Sequence, residues 1–236
     1  MLIHALRAPV FATNTLVLAP HDGGPAVVVD PGSGVAPLVR DVLAARGLEV
    51  AAVVLTHGHP DHVWDCAAVA PDAPVLVGAG DAERLADPGA YLGPLGGVFA
   101  TLVDRPWEPV GDVRPVGPGP VEPVPGLVLE AVPAPGHTAG STVWRIPAVD
   151  ELTGPAFAEA GVTRHSGPVV LTGDVIFAGS VGRTDLPGGD ERRMGETLRE
   201  LSRTLPPDAL LVPGHGPATT TSRELATNPF LARARG

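Results

Sequence analysis

The chain has no lysine and a single cysteine, Cys66, in 236 residues. One cysteine cannot close an internal disulfide, so cohesion must come from a large core, a bound metal, or both; Cys66 itself reads as a small apolar residue on a helix. No apolar run is long enough to cross a bilayer, and the opening residues 1–7 lack the charged-then-apolar layout of a signal peptide. The expectation is a soluble, cytoplasmic protein with no membrane partner. A formal charge of −10 leaves no basic stripe to neutralise phosphates, which argues against nucleic acid as a partner. Absent too are a Gly-x-Ser-x-Gly elbow, a Walker A loop and a dinucleotide fingerprint, and Cys66 has no evident activating partner. A small anionic substrate remains compatible, because one or two arginines can grip a carboxylate through a bidentate fork.

With 44% apolar residues the chain can bury a sizeable core. The apolar pattern predicts strands at 2–6, 15–18 and 26–29, then a helix over 35–46 whose C-cap is Gly47. The run 49–55 is β-branched and continuously apolar at its centre, as for a strand covered on both faces. A helix over 61–69, a strand at 75–77 and an acidic helix over 81–86 follow, an alternation that favours a layered α/β or α+β fold. From 87 to 125 the pattern weakens into Pro, Gly and scattered apolar residues, which reads as a long surface excursion that could serve as a lid. Strands are expected again at 127–132, 142–146, 169–172 and 209–212, with an amphipathic helix over 191–205. The segment 148–167 reads as a surface insertion.

Against this background Leu55-Thr56-His57-Gly58-His59-Pro60-Asp61-His62 stands out, directly after an apolar strand. Three further strands share its kind of ending, in Gly/Pro turns that carry His137, Asp174 and His215. Rigid strands that aim side chains into permissive turns are what a metal site on one sheet edge requires. His57 and His59 are two apart, so on an extended segment their rings point the same way and can chelate one ion. Asp61 and His62 fall at the bend into the following helix, displaced toward a second ion. Two ions close together need a shared anionic ligand, and Asp174 is the natural bridge.

The expected sets are His57, His59, His137 and Asp174 for one ion, and Asp61, His62, His215 and Asp174 for the other, with Asp61 and Asp174 also assigned catalytic roles. Nitrogen and oxygen donors without thiolate suit two divalent ions, zinc, iron or manganese. Water between such ions ionises near neutrality, its pKa lowered from about 16 to roughly 7, giving a hydroxide nucleophile for a carbonyl or phosphoryl centre. Lone histidines 4, 21 and 165 read as ordinary surface or turn residues.

The segments T-H-G-H-P-D-H (56–62), P-G-H-T (135–138), T-G-D-V-I-F-A-G-S-V-G-R-T-D-L-P-G-G-D (172–190) and V-P-G-H-G-P-A-T-T-T (212–221), with Asn228-Pro229-Phe230 near the end, resemble the metallo-β-lactamase-fold hydrolases, and within them the glyoxalase II-like branch. The resemblance implies an α+β fold, a four-layer αβ/βα sandwich of two mixed sheets between helices, spanning 1–236 as one domain. It also implies a place for Asp30 beside the metal loop and an anion-binding, substrate-holding role for Arg183. The helical C-terminal substrate domain of glyoxalase II is not expected, and Arg183-Thr184-Asp185 replaces that enzyme's Lys- and Tyr-bearing loop.

The function expected is a dinuclear thioesterase that cleaves S-2-hydroxyacyl thioesters such as S-lactoylglutathione, acting as a monomer or small homo-oligomer on a small-molecule thioester. Alternatives are a mono-iron persulfide dioxygenase using His57, His137 and Asp174, and a lactonase. A non-catalytic scaffold predicts missing donors, and none is missing.

Overall fold

A computed structural model describes residues 1–236. Three strands open the chain, β1 (Leu2–Arg7), β2 (Asn14–Ala19) and β3 (Gly24–Val29), followed by helix α1 (Ala36–Arg46). α1 ends where Gly47 adopts the left-handed conformation and its N–H returns to the last turn. β4 (Leu48–Val54) leads into α2 (Pro60–Val63) and α3 (Cys66–Val69), then β5 (Val75–Gly78). Next come two 3₁₀ segments (Ala79–Ala86 and Pro88–Leu95), α4 (Gly96–Leu102) and four strands, β6 (Val113–Val116), β7 (Gly119–Val124), β8 (Leu127–Pro133) and β9 (Thr142–Ile146). β10 (Glu151–Thr153), α5 (Pro155–Glu159), β11 (Val169–Gly173) and the hairpin β12 (Ile176–Phe177) and β13 (Ser180–Val181) precede α6 (Glu191–Thr204). The chain closes with β14 (Leu210–Pro213), β15 (Thr219–Thr220), α7 (Thr221–Thr227) and α8 (Pro229–Arg235).

Two mixed sheets result, one ordered β10-β1-β2-β3-β4-β5-β6 and the other β15-β14-β11-β9-β8-β7. Their inner faces are the alternate residues that a strand's period of two predicts: Ile3, Leu16, Leu18, Val27, Val29 and Val54 meet Leu127, Leu129, Trp144, Ile146, Leu171 and Val212. The opposite parity of the first sheet, Val17, Ala26 and Val28, packs on Val35 and Val39 at α1. On the second sheet Val143, Val170 and Leu211 pack against Met194, Leu198 and Leu201 of α6 and Leu231 of α8. The expected α+β sandwich of two mixed sheets between helices is therefore the architecture observed. No helix is long and apolar enough to cross a membrane.

Four sequence expectations need correction. Residues 87–125 are not a surface excursion: β6 extends the first sheet beside β5, β7 pairs with β8 in the second, and Leu92 and Phe99 are buried around Trp64. The segment 148–167 is not merely a loop, since β10 forms an edge of the first sheet against β1, while Ala156 and Phe157 enter the inter-sheet core. The helix expected over 61–69 breaks at Trp64–Asp65, where the buried Asp65 carboxylate accepts from the Ala36 amide at 2.8 Å and from Arg105 at 2.6 Å. The acidic helix over 81–86 is a 3₁₀ segment, whose Asp81 faces inward.

Candidate metal centre

β4, β8, β11 and β14 all end at the same rim of the sandwich, and the turns that follow deliver His57 to His62, His137, Asp174 and His215 to one place. Donor atoms of His57, His59 and His137 lie within 4.8 Å of one another, as do those of His57, His62 and Asp174 and those of Asp61, His62 and His215. In the first group His57 Nε2 is 3.1 Å from His59 Nδ1 and 3.2 Å from His137 Nε2, and His59 Nδ1 is 2.9 Å from His137 Nε2. Ligands around a tetrahedral zinc-sized ion sit about 3.3 Å apart, given metal–nitrogen bonds of 2.0–2.1 Å. In the second group His215 Nε2 is 3.3 Å from His62 Nε2 and 3.2 Å from Asp61 Oδ2.

Asp174 lies between the groups. Its Oδ1 is 3.4 Å from His62 Nε2, and its Oδ2 is 3.5 Å from His215 Nε2 and 3.7 Å from His137 Nε2. The carboxylate has room because Gly214 lacks a side chain, whose Cβ would meet Asp174 Oδ1 at 2.2 Å, and the Asp174 backbone has room because a Cβ at Gly182 would meet its carbonyl at 1.8 Å.

The rings are aimed from behind. His62 Nδ1 donates to Asp30 Oδ2 at 2.9 Å, His137 Nδ1 to the Arg183 carbonyl at 2.7 Å, and His215 Nδ1 to the Phe11 carbonyl at 3.0 Å. Each bond fixes Nδ1–H and turns Nε2 toward the cluster. Asp30 also accepts from the amide and hydroxyl of Thr56, at 2.8 and 2.6 Å, which holds the loop that begins the histidine stretch.

Protonation differs across the cluster. Burial pushes His57 well below the usual imidazole range, reinforced by the neighbouring imidazoles of His62, His137 and His59; burial and His137 lower His59 to about 3. For His62 and His215 burial is outweighed by Asp174 and Asp61, aided at His62 by Asp30, so His62 is raised well above its usual value and His215 to about 9. Asp61 and Asp174 stay below the usual carboxylate range despite burial, held down by His62 and His215.

Convergent lone pairs and carboxylates at this spacing suit divalent cations better than they suit one another. Asp174 Oδ1, buried and aimed into the cluster, has no hydrogen-bond partner, and the three facing nitrogens of His57, His59 and His137 can satisfy one another only in part. The donor set therefore fits metal.

Arg183 stands differently from its expected role. Its guanidinium is taken up by Asp185 in a bidentate pair, 2.6 and 2.7 Å, and the contact it makes with the cluster is through its carbonyl. Sequence reasoning missed Asp81, which is fully buried. Its carboxylate accepts from the Gly58 and Gly140 amides at 2.9 Å each and from the Thr138 hydroxyl at 2.6 Å, and it pairs with Arg84 at 2.9 Å. It thereby ties the His57–His59 turn to the His137 turn. Missed as well was Asn14, whose amide donates to the Pro213 and Gly216 carbonyls at 3.0 and 2.8 Å and brackets His215. The i,i+3 spacing of Asp81 and Arg84 was the one available signal for the first. Nothing local marks the second.

A family model for the metallo-beta-lactamase superfamily matches residues 8–152, which include the histidine stretch and His137. The chain belongs to this superfamily. An uncharacterised protein of Mycobacterium tuberculosis is 35% identical over 98% of both chains. The hydroxyacylglutathione hydrolase GloC of Haemophilus influenzae is 28% identical over 87% of both. Among solved structures, the B3 metallo-beta-lactamase BLEG-1 superposes with a TM-score of 0.75 at 28% identity, covering 98% of this chain and 99% of its own. TTHA1623 in a di-iron-bound form gives 0.70 at 29% identity, covering 96% and 98%. As a member of the metallo-beta-lactamase superfamily the protein is a metallo-hydrolase, and its His and Asp clusters are suited to divalent metal ions.

Proposed function

We propose that the protein is a dinuclear thioester hydrolase that cleaves S-2-hydroxyacyl thioesters of glutathione or another small thiol, with two divalent ions, zinc foremost, as cofactor. The observation that carries this reading is the position of Asp174 between two donor groups, within 3.7 Å of nitrogens from both. The likeness to a hydroxyacylglutathione hydrolase supports the acyl-thiol class. Ions held there would supply an activated water and an electrophile for the acyl carbonyl. His57, His59 and His137 would hold one ion, Asp61, His62 and His215 the other, and Asp174 both. The protein's own part is preorganisation: Asp30, the Arg183 carbonyl and the Phe11 carbonyl each hold one ring through Nδ1, so that Nε2 of His62, His137 and His215 already faces the cluster. Asp61 is ionised at neutral pH with Oδ2 3.2 Å from His215, so it brings negative charge to the donor group where the acyl carbonyl would react.

The mono-iron reading leaves Asp61, His62 and His215 convergent within 4.8 Å without a task, which weighs against it. Metal analysis of the purified protein, alongside hydrolysis of S-lactoylglutathione, a lactone panel and oxygen uptake with glutathione persulfide, separates the readings. Two ions per chain and thioester turnover abolished by Asp174→Ala are expected. One iron per chain with oxygen uptake, and thioester hydrolysis no faster than background, would overturn the proposal.

A further inference from the structure

α6, α8 and the segment 181–184 enclose a cavity of about 480 Å³ on the other side of the Gly182 backbone from the donor clusters. Its floor is apolar, formed by Met194, Leu198 and Phe230, the last 38% exposed. Gly195 lies in the same floor, inside a 14-residue helix, where glycine is the poorest choice after proline. Packing does not explain it, because a Cβ there would meet nothing within 4 Å. Its effect is to keep the floor open.

The rim carries Arg199 and Arg233. Arg199 Nε donates to the Ala234 carbonyl at 3.0 Å, which sets its guanidinium against the last turn of α8, one residue from Arg233. Neither guanidinium is in an ion pair, although Glu191 also lines the cavity; Arg183, the third arginine there, is already held by Asp185. In a chain of net charge −10, an apolar hollow with two uncommitted guanidiniums is complementary to an amphipathic anion.

We propose that this cavity binds a small organic anion, its apolar body on Met194, Leu198 and Phe230 and its carboxylate, sulfonate or phosphate between Arg199 and Arg233. The site is separate from the donor clusters, reached across the backbone at Gly182, and it does not depend on the reaction assigned above.

Fluorescence titration of the metal-loaded protein with 8-anilinonaphthalene-1-sulfonate tests it, with the neutral N-phenyl-1-naphthylamine as comparison. Saturable one-to-one binding of the sulfonate is expected, about tenfold tighter than the neutral dye, a ratio equivalent to about 1.4 kcal/mol. Gly195→Leu, which fills open space and improves the helix, should abolish it. The double variant Arg199→Gln/Arg233→Gln should weaken the sulfonate about tenfold and leave the neutral dye unchanged. Asp174→Ala should leave the affinity within about twofold, because Asp174 meets the cavity lining at the Gly182 backbone and not at Arg199 or Arg233. Sulfonate affinity equal in the intact protein and in both cavity variants, or lost with Asp174→Ala, would overturn the proposal. Circular dichroism of each variant separates a lost site from a lost fold.

Discussion

The two ends of the donor constellation are anchored by different chemistry. The His57–His62 stretch rests on buried carboxylates: Asp30 behind Thr56 and His62, Asp81 behind Gly58. The His215 turn rests on neutral groups, with the Phe11 carbonyl behind the ring and the Asn14 amide beneath the loop. Exposure follows the same division, since the His62 side chain is 0% exposed and that of His215 27%. A carboxylate behind an imidazole raises its basicity and locks its orientation more firmly than a carbonyl does. The first end is therefore fixed before any ion arrives, and the second is the end that can adjust.

The largest effect should come from breaking the rigid end at Asp81. Asp81→Ala would leave Arg84 buried without its partner and strip acceptors from the Gly58 and Gly140 amides, a loss of about 3–5 kcal/mol. Urea unfolding measures it, and a loss below about 1 kcal/mol would remove Asp81 from the account. Asp30→Asn comes next and is a finer probe, because Asp30 has φ 48 and asparagine tolerates that left-handed backbone. The fold should persist while metal affinity falls about 10–100-fold, as is usual when the group behind a ligating histidine is altered. Competition with a chromophoric chelator reads the affinity directly.

How much of this was legible beforehand follows the same line. The four strand endings could be read, because each combines a β-branched or apolar run with a Gly/Pro turn and one donor. So could α6, from Met194, Leu198 and Leu201 at helical spacing. Asp81 could not, because its value lies in reaching Gly58 and Gly140, 23 and 59 residues away, and the same acidic segment would read identically on a solvated face. β10 and β6 were lost for a related reason. Three- and four-residue strands are set by the partner they meet, β1 and β5, rather than by their own pattern. Arg183 could be placed beside the cluster by resemblance, but its capture by Asp185 is visible only in three dimensions.

Removing metal should expose the comparison through pH. His57 and His59 are neutral in the fold, His59 down to about 3, so the unfolded chain binds more protons than the native one between that value and the ordinary 6.5. Their contribution is complete above pH 6.5 and is lost as pH falls through that window. His62 and His215 run the other way: raised, His215 to about 9, they stabilise fully below 6.5 and lose that contribution as pH rises toward 9. The chelated protein should thus have a melting temperature that declines on both sides of neutrality. His215→Gln should make the alkaline limb shallower, leaving the share of His62, and leave the acid limb as it was; an unchanged alkaline limb would remove His215 from this account.

The smallest effect concerns how the adjustable end is held. Phe11 and Ala12 both have φ 58, a conformation that costs a residue with a Cβ about 1–2 kcal/mol. Two such residues in succession are kept because the Phe11 carbonyl must turn toward His215 and the Phe11 ring packs on Phe99 at 5.6 Å. Ala12 is exposed and makes no comparable contact, so its strain can be relieved separately. Ala12→Gly removes that strain but gives the unfolded chain more freedom, which costs about 0.4–1 kcal/mol. The difference leaves a net stabilisation of about 0.5 kcal/mol, a shift of about 1–2 °C for a chain of this length. Calorimetry at neutral pH should register that small rise with metal affinity unchanged. A fall in stability would mean that the turn is held by contacts rather than bent against its preference, and His215 would then be as firmly set as His62.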